Sequence, residues 1–179
     1  MLLVSWNVAG RRTRLAEQAD RVLALEPDIV CLQEVTPVTA EPWLERLAEA
    51  GLGGAVAPLP KVREGSRPLA VLTAARVDLD VRPVADAPWP ERVLAAQAGP
   101  LEIVNVHSPI SPKPGLAKVL THEAVAQHLS DGSGPRVVLG DLNTPRREHP
   151  DGRVWTFARN RTGRLRPDRG ERWDAAESA

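Results

Sequence analysis

Asp28-Ile29-Val30-Cys31-Leu32-Gln33-Glu34 places four apolar residues in a row shortly after Pro27 and closes them with an amide and a carboxylate. A short, unbroken apolar run rich in β-branched residues suits a strand buried on both faces, so Glu34 is expected at a strand's carboxyl end. Upstream, Leu15, Ala19, Val22 and Leu23 fall at i, i+4, i+7 and i+8. That spacing predicts an amphipathic helix, with Thr13 as its cap and Pro27 blocking its continuation. Before it, Leu2 to Trp6 is a second apolar run that ends near Asn7, with Gly10, Arg11 and Arg12 supplying the turn. Residues 2–34 therefore predict a strand, helix, strand unit.

Downstream, a helix is expected from Pro42 through Leu44 and Leu47 to Gly51, using proline in the first turn and glycine past the last. Closely spaced strands are expected over Pro68 to Ala74, Val77 to Arg82, Glu91 to Ala98 and Leu101 to His107, a pattern of hairpins and antiparallel pairs. The proline-rich loop from Ser108 to Gly115 leads to a helix over about Leu116 to Leu129. Then Arg136-Val137-Val138-Leu139-Gly140-Asp141 again ends an apolar strand on a polar residue. The fold class is α/β (α+β), a mixed sandwich with helices outside sheets. Residues 1–179 are expected to make one domain, because no repeat or low-complexity linker divides them and the length suits a single core.

Acidic and basic side chains number 23 each, which excludes a strongly basic chain selected by net charge for nucleic acid. The charge is uneven all the same: nine arginines from Arg146 to Arg172 form a locally basic stretch, either a solvated face or a phosphate-facing one. The start of the chain has no basic region ahead of its apolar residues, and no apolar run reaches membrane-spanning length, so a cytoplasmic location is expected. Cys31 is alone and is expected to be a small buried core residue. His122 and His128 are expected to be solvated helix residues. The five tryptophans are expected mainly as packing anchors, with base stacking an open alternative for Trp155 and Trp173.

Strand ends thus deliver Asn7, Glu34, His107 and Asp141, with Asn143 two residues further on. Loops beyond strand ends are where ligands collect in α/β sheets. Two carboxylates, amide oxygens and water suit Mg²⁺ or Mn²⁺, whose preference is for oxygen, whereas one histidine and no usable thiolate argue against zinc. A phosphate ester is already anionic, so attack by water needs positive charge on its oxygens and a positioned base.

Ser5-Trp6-Asn7, Leu32-Gln33-Glu34, Asn105-Val106-His107 and Gly140-Asp141-Leu142-Asn143 resemble, in order, the motifs of the endonuclease/exonuclease/phosphatase superfamily, exonuclease III and the pancreatic-type deoxyribonucleases among them. The resemblance covers residues 1 to about 145. It implies a four-layered α/β sandwich and metal-dependent hydrolysis of phosphate esters, with nucleic acid as the first substrate class. It also implies Glu34 as principal metal ligand, Asn7 and Asp141 in the metal shell, and Asp141 orienting or deprotonating the attacking water. His107 would contact the phosphate or assist proton transfer, Asn143 would hold Asp141 and the phosphoryl oxygens, and Asn7, Asn143 and Arg146 would meet substrate. A phosphatase of a small or lipid phosphoester, and a binding domain without turnover, remain as alternatives.

The superfamily normally closes with a further strand ending in an aspartate-histidine pair, and no such pair occurs here. His149, the last histidine, follows Asp141 too closely to end another strand. The resemblance therefore implies a chain short of its C-terminal part, in which Glu171 to Ala179 reads as the opening of a helix.

Overall fold

A computed structural model describes residues 1–58, 67–110, 116–144 and 147–178. The fold divides into two compact units. The first comprises residues 1–84, 89–107 and 132–141, and the second comprises 85–88, 108–131 and 142–179.

The first unit opens as the sequence predicts, with β1 (Leu3–Asn7), α1 (Leu15–Leu23) and β2 (Ile29–Val35). β1 and β2 run parallel with Asn7 opposite Gln33. Thr13 does not cap α1: the cap position is Arg14, and no side-chain hydrogen bond is made there. The next helix, α2 (Pro37–Glu49), begins five residues before the expected Pro42. Thr36 accepts from the Thr39 N–H while the Thr39 hydroxyl accepts from the Thr36 N–H, a reciprocal cap that takes Pro37 as first residue and leaves Pro42 inside the helix. Sequence spacing alone favours the wrong proline, because the Thr-x-x-Thr cap lacks the usual acidic or amide partner.

β3 (Gly53–Val56), unanticipated for want of any β-branched run, pairs antiparallel with β4 (Ala70–Ala75), and β4 pairs antiparallel with β2, giving the order β1-β2-β4-β3. A second sheet runs β5 (Leu79–Arg82), β6 (Val93–Ala98), β7 (Leu101–His107) and β8 (Arg136–Asp141). The expected β5–β6 and β6–β7 hairpins form, and β8 joins β7 in parallel with His107 opposite Asp141. Pro90–Arg92 makes one 3-10 turn before β6.

Period-two alternation divides the first sheet between two cores. Val30, Leu32, Leu72 and Ala74 face Val22 of α1 and the fully buried Trp43 and Leu47 of α2. Ile29, Cys31 and Ala75 face Ala98 and Ile103 of the second sheet, where burial pushes the Cys31 thiol up to about 12 and leaves it an inert core group. The outcome is the expected α/β sandwich. One point of the inter-sheet core is polar. Asn105 on β7, fully buried, donates to Leu32 O, Leu72 O and the Thr73 hydroxyl and accepts from Gln33 Nε2. Gln33 reaches on to the Ser5 hydroxyl. Two residues of the family-like motifs thus form a clamp between the sheets.

The second unit holds α3 (Ala117–Ser130), a short hairpin of β9 (Arg147–Glu148) with β10 (Val154–Trp155), and α4 (Gly170–Ser178), around Val119, Ala158 and Trp173. Much of the expected basic face is spent internally: Arg153 pairs with Asp151, Arg159 with Asp174, Arg166 with Asp168, and Arg172 with Glu123. Trp173 is a packing residue, its Nε1 donating to Glu177 at 2.9 Å and Arg169 stacked on its ring. His122 is not solvated. One ring nitrogen lies 2.9 Å from the Ser108 hydroxyl and the other 2.7 Å from Ala176 O. The helical periodicity of α3 conceals this, because Lys118, Thr121 and His122 look like an ordinary polar face until α4 packs beside them. Among the described residues no helix is long and apolar enough to cross a membrane.

Candidate metal centre

Parallel pairing carries two residue pairs to one end of the first unit: Asn7 and Glu34 from the β1–β2 end, His107 and Asp141 from the β7–β8 end. Candidate ligand atoms of Glu34, His107 and Asp141 all lie within 4.8 Å of one another. Asn7 bridges the carboxylates. Its amide nitrogen donates to Glu34 Oε1 at 3.1 Å and to Asp141 Oδ2 at 2.8 Å, while its oxygen accepts from the Ala9 N–H at 2.9 Å. That last bond fixes the amide's orientation, since the reverse would set two donors face to face. Asn7 therefore presents its nitrogen to the carboxylates.

Two features of the backbone aim these groups. Glu34 has φ +60°, a left-handed conformation unusual for a side chain of its size, at the shift in β2–β4 register between Leu32 and Val35. Such a bulge re-aims one side chain out of the sheet alternation, and local strain of this kind concentrates at functional sites. At Gly140 (φ +141°) an added Cβ would stand 1.9 Å from Val106 O, so only glycine lets β8 approach β7 closely enough to set Asp141 beside His107.

His107 is buried, and burial, reinforced by the positive charge of Arg92, holds its pKa down at about 4 against the opposing pull of Glu34 and Asp141. The imidazole is neutral at pH 7, with Nε2 3.8 Å from Glu34 Oε1 and Nδ1 without a hydrogen-bond partner among the described residues. A neutral imidazole, an unmet ring nitrogen and two adjacent carboxylates suit a hard divalent cation and its water shell.

Sequence reasoning missed two arginines here. Arg92 stacks its guanidinium on Trp89 at 4.6 Å and is itself buried. Arg67 is exposed, donates to Ala9 O at 3.2 Å and places Nη1 3.8 Å from Glu34 Oε2. Neither stands in a pattern that would single it out along the chain. Asn143 belongs to the second unit, has φ +52° and donates its side-chain amide to Ser108 O at 2.8 Å. Arg146 lies outside the described residues.

Residues 4–174 match the Endonuclease/Exonuclease/phosphatase family. No curated protein sequence matches the chain. Among solved structures, an AP endonuclease from Archaeoglobus fulgidus superposes with a TM-score of 0.66 at 19% identity, over 80% of this chain and 58% of that one. The catalytic domain of Xenopus laevis APE2 gives 0.61 at 20% identity, over 82% and 60%. A 3′-5′ exonuclease (NExo) from Neisseria meningitidis gives 0.57 at 27% identity, over 79% and 57%. The matched part thus spans under two-thirds of the length of these structures.

Proposed function

The chain belongs to the endonuclease/exonuclease/phosphatase family, whose members are metal-dependent phosphoester hydrolases, and from that premise we propose that it hydrolyses phosphodiesters, nucleic acid first among them, with Mg²⁺ or Mn²⁺. The observation that carries this proposal is the convergence of Glu34, His107 and Asp141 within 4.8 Å at the ends of paired parallel strands.

Glu34 and Asp141 are the carboxylates that would hold the metal. Bound there, the ion would draw charge from the phosphoryl oxygens and acidify water. Asn7 keeps both carboxylates pointing inward through its two N–H bonds. Asp141 orients the attacking water and takes its proton. His107, neutral at pH 7, donates one N–H to a phosphoryl oxygen without the cost of desolvating an imidazolium. For Asn143 a substrate contact is proposed on the strength of its motif alone, Gly140-Asp141-Leu142-Asn143. Arg67, exposed at the rim beside Glu34, meets the incoming phosphate.

A small phosphomonoester is the second substrate class, favoured by the internal pairing of Arg153, Arg159, Arg166 and Arg172, which leaves less free positive charge for a polynucleotide backbone. The test is hydrolysis of labelled single- and double-stranded nucleic acid and of p-nitrophenyl phosphate diester and monoester, with Mg²⁺ or Mn²⁺, with chelator, and with Glu34→Ala. Chelator-sensitive diester cleavage lost in Glu34→Ala is expected. Cleavage indifferent to both would overturn the assignment, and monoester turnover alone would move it to the second class.

A further inference from the structure

Asn143 sits in a left-handed backbone conformation, which asparagine tolerates better than other side chains do, and the second unit ties the residue down in three ways. All three end in the last turn of α4.

The first runs through Lys118 on α3. Lys118 Nζ donates to Asn143 O at 2.6 Å and to Glu177 Oε1 at 2.8 Å, and it lies 5.1 Å from the centre of the Phe157 ring. Both charged side chains are completely buried. A lysine removed wholly from water persists only where a carboxylate and further acceptors meet its protons. Glu177 in turn accepts from the Trp173 indole and the Phe157 N–H, so its position is fixed independently of the lysine.

The second hold acts on the Asn143 side chain. Its amide donates to Ser108 O, the Ser108 hydroxyl lies against one nitrogen of His122, and the other nitrogen of His122 lies against Ala176 O. The third is shorter: the Thr144 hydroxyl donates to Glu177 O at 3.4 Å. Backbone carbonyl, side-chain amide and next residue are therefore each tied, by different atoms, to Ala176 and Glu177. A buried ion pair that served packing alone would not need its lysine aimed at the carbonyl of Asn143.

We propose that Lys118, Glu177 and His122 are positioning residues for Asn143, and that α4 is the strut through which they act. The proposal rests on the hydrolase assignment for its kinetic consequence but not for its structural one. Losing such supports behind a residue that meets substrate lowers activity by about 10- to 100-fold.

The decisive variant is Lys118→Met with Glu177→Gln, which removes both buried charges together, leaves neither without its partner, and keeps one acceptor oxygen for the Trp173 or the Phe157 N–H. The chain has four asparagines, Asn7, Asn105, Asn143 and Asn160, so [15N]asparagine labelling gives a spectrum simple enough to assign. In the folded double variant the Asn143 side-chain and backbone resonances are expected to shift and broaden while those of Asn7 and Asn105 stay. With the preferred phosphoester, kcat is expected to fall about 10- to 100-fold with KM held within about twofold. Should the double variant fail to fold, His122→Phe cuts the side-chain route alone and carries the same readouts, with His122→Gln expected to restore them in part. Asn143 resonances unmoved in a folded variant would overturn the proposal whatever the kinetics. A wild-type chain that hydrolyses nothing would instead remove the hydrolase assignment, and the asparagine spectra would still decide whether α4 holds Asn143.

Discussion

Each unit of this protein draws acidic side chains into a tight polar cluster, and the two clusters are completed in opposite ways. In the second unit Glu177 is sealed from water, yet Lys118, the Trp173 indole and the Phe157 N–H meet its oxygens. In the first unit Glu34 and Asp141 converge on the neutral amide of Asn7, and the exposed Arg67 keeps its Nη1 3.8 Å from Glu34. Like charges brought together in a folded protein repel unless something positive joins them. One cluster is closed by a buried lysine of the chain, and the other, where the exposed Arg67 pairs with Glu34 at the rim, suits a cation and a phosphate. The difference teaches that carboxylates gathered around a neutral donor leave room for a ligand, while a carboxylate sealed against a buried ammonium can act only through what it positions.

The largest expected effect breaks the open cluster. Glu34→Ala should lower metal-dependent hydrolysis by about 10³-fold, measured as kcat/KM on the preferred diester. The same variant gives up one Asn7 hydrogen bond and the rim ion pair with Arg67, each partly exposed, so its melt without metal should stay within a few degrees of wild type. A variant that keeps its rate would end the contrast between the clusters.

The balanced cluster should fail the other way. Lys118→Met leaves Glu177 buried without its ammonium, at a cost of about 3 kcal/mol or more, and a thermal melt followed by circular dichroism should fall by about 10 °C. An unchanged melt would mean that water reaches Glu177 and that the cluster is not sealed.

A smaller effect is expected at the clamp between the sheets. Asn105→Ala strips a donor from Leu32 O and Leu72 O and an acceptor from Gln33, and it should cost about 2 kcal/mol in urea unfolding, with metal affinity reduced less than in Glu34→Ala. Equal losses of metal binding in the two variants would make Asn105 part of the metal centre and not its scaffold.

The open cluster is legible in the sequence because its residues stand where regular patterns stop. Asn7, Glu34, His107 and Asp141 each close an apolar strand, and a polar residue ending such a run announces itself. The strands Leu101–His107 and Arg136–Asp141 are placed to the residue for the same reason. The balanced cluster is not legible. Lys118 and His122 sit one turn apart on a helix whose polar residues look solvated until α4 packs against them, and Glu177 lies in a segment with no end signal. Pairing between residues some 25 to 60 positions apart leaves no local mark. The start of α2 and the existence of β3 escape for a related reason, since a threonine pair and a glycine-rich edge strand carry weak propensities that tertiary packing overrides.

The smallest effect concerns acid, and it tests whether the second unit is balanced throughout or only at its centre. Burial raises the Asp174 pKa, but hydrogen bonds from Arg159 and Thr156 outweigh it and hold the carboxyl below its ordinary 3.8. Glu177 is likewise held below 4.5, its burial outweighed by Lys118 and Trp173. A carboxyl whose folded pKa is depressed adds stability that is fully present above the unfolded value and disappears as pH falls through the folded one. Stability should therefore be level from pH 7 to about 5 on account of these two groups and decline below about pH 4.5, where the unfolded chain takes up protons first. Asp174→Asn removes one of the two contributions. It should cost about 1 kcal/mol at pH 7 and make the acid decline shallower, both read from urea unfolding between about pH 3 and pH 7. A decline as steep as that of wild type would place the acid sensitivity elsewhere.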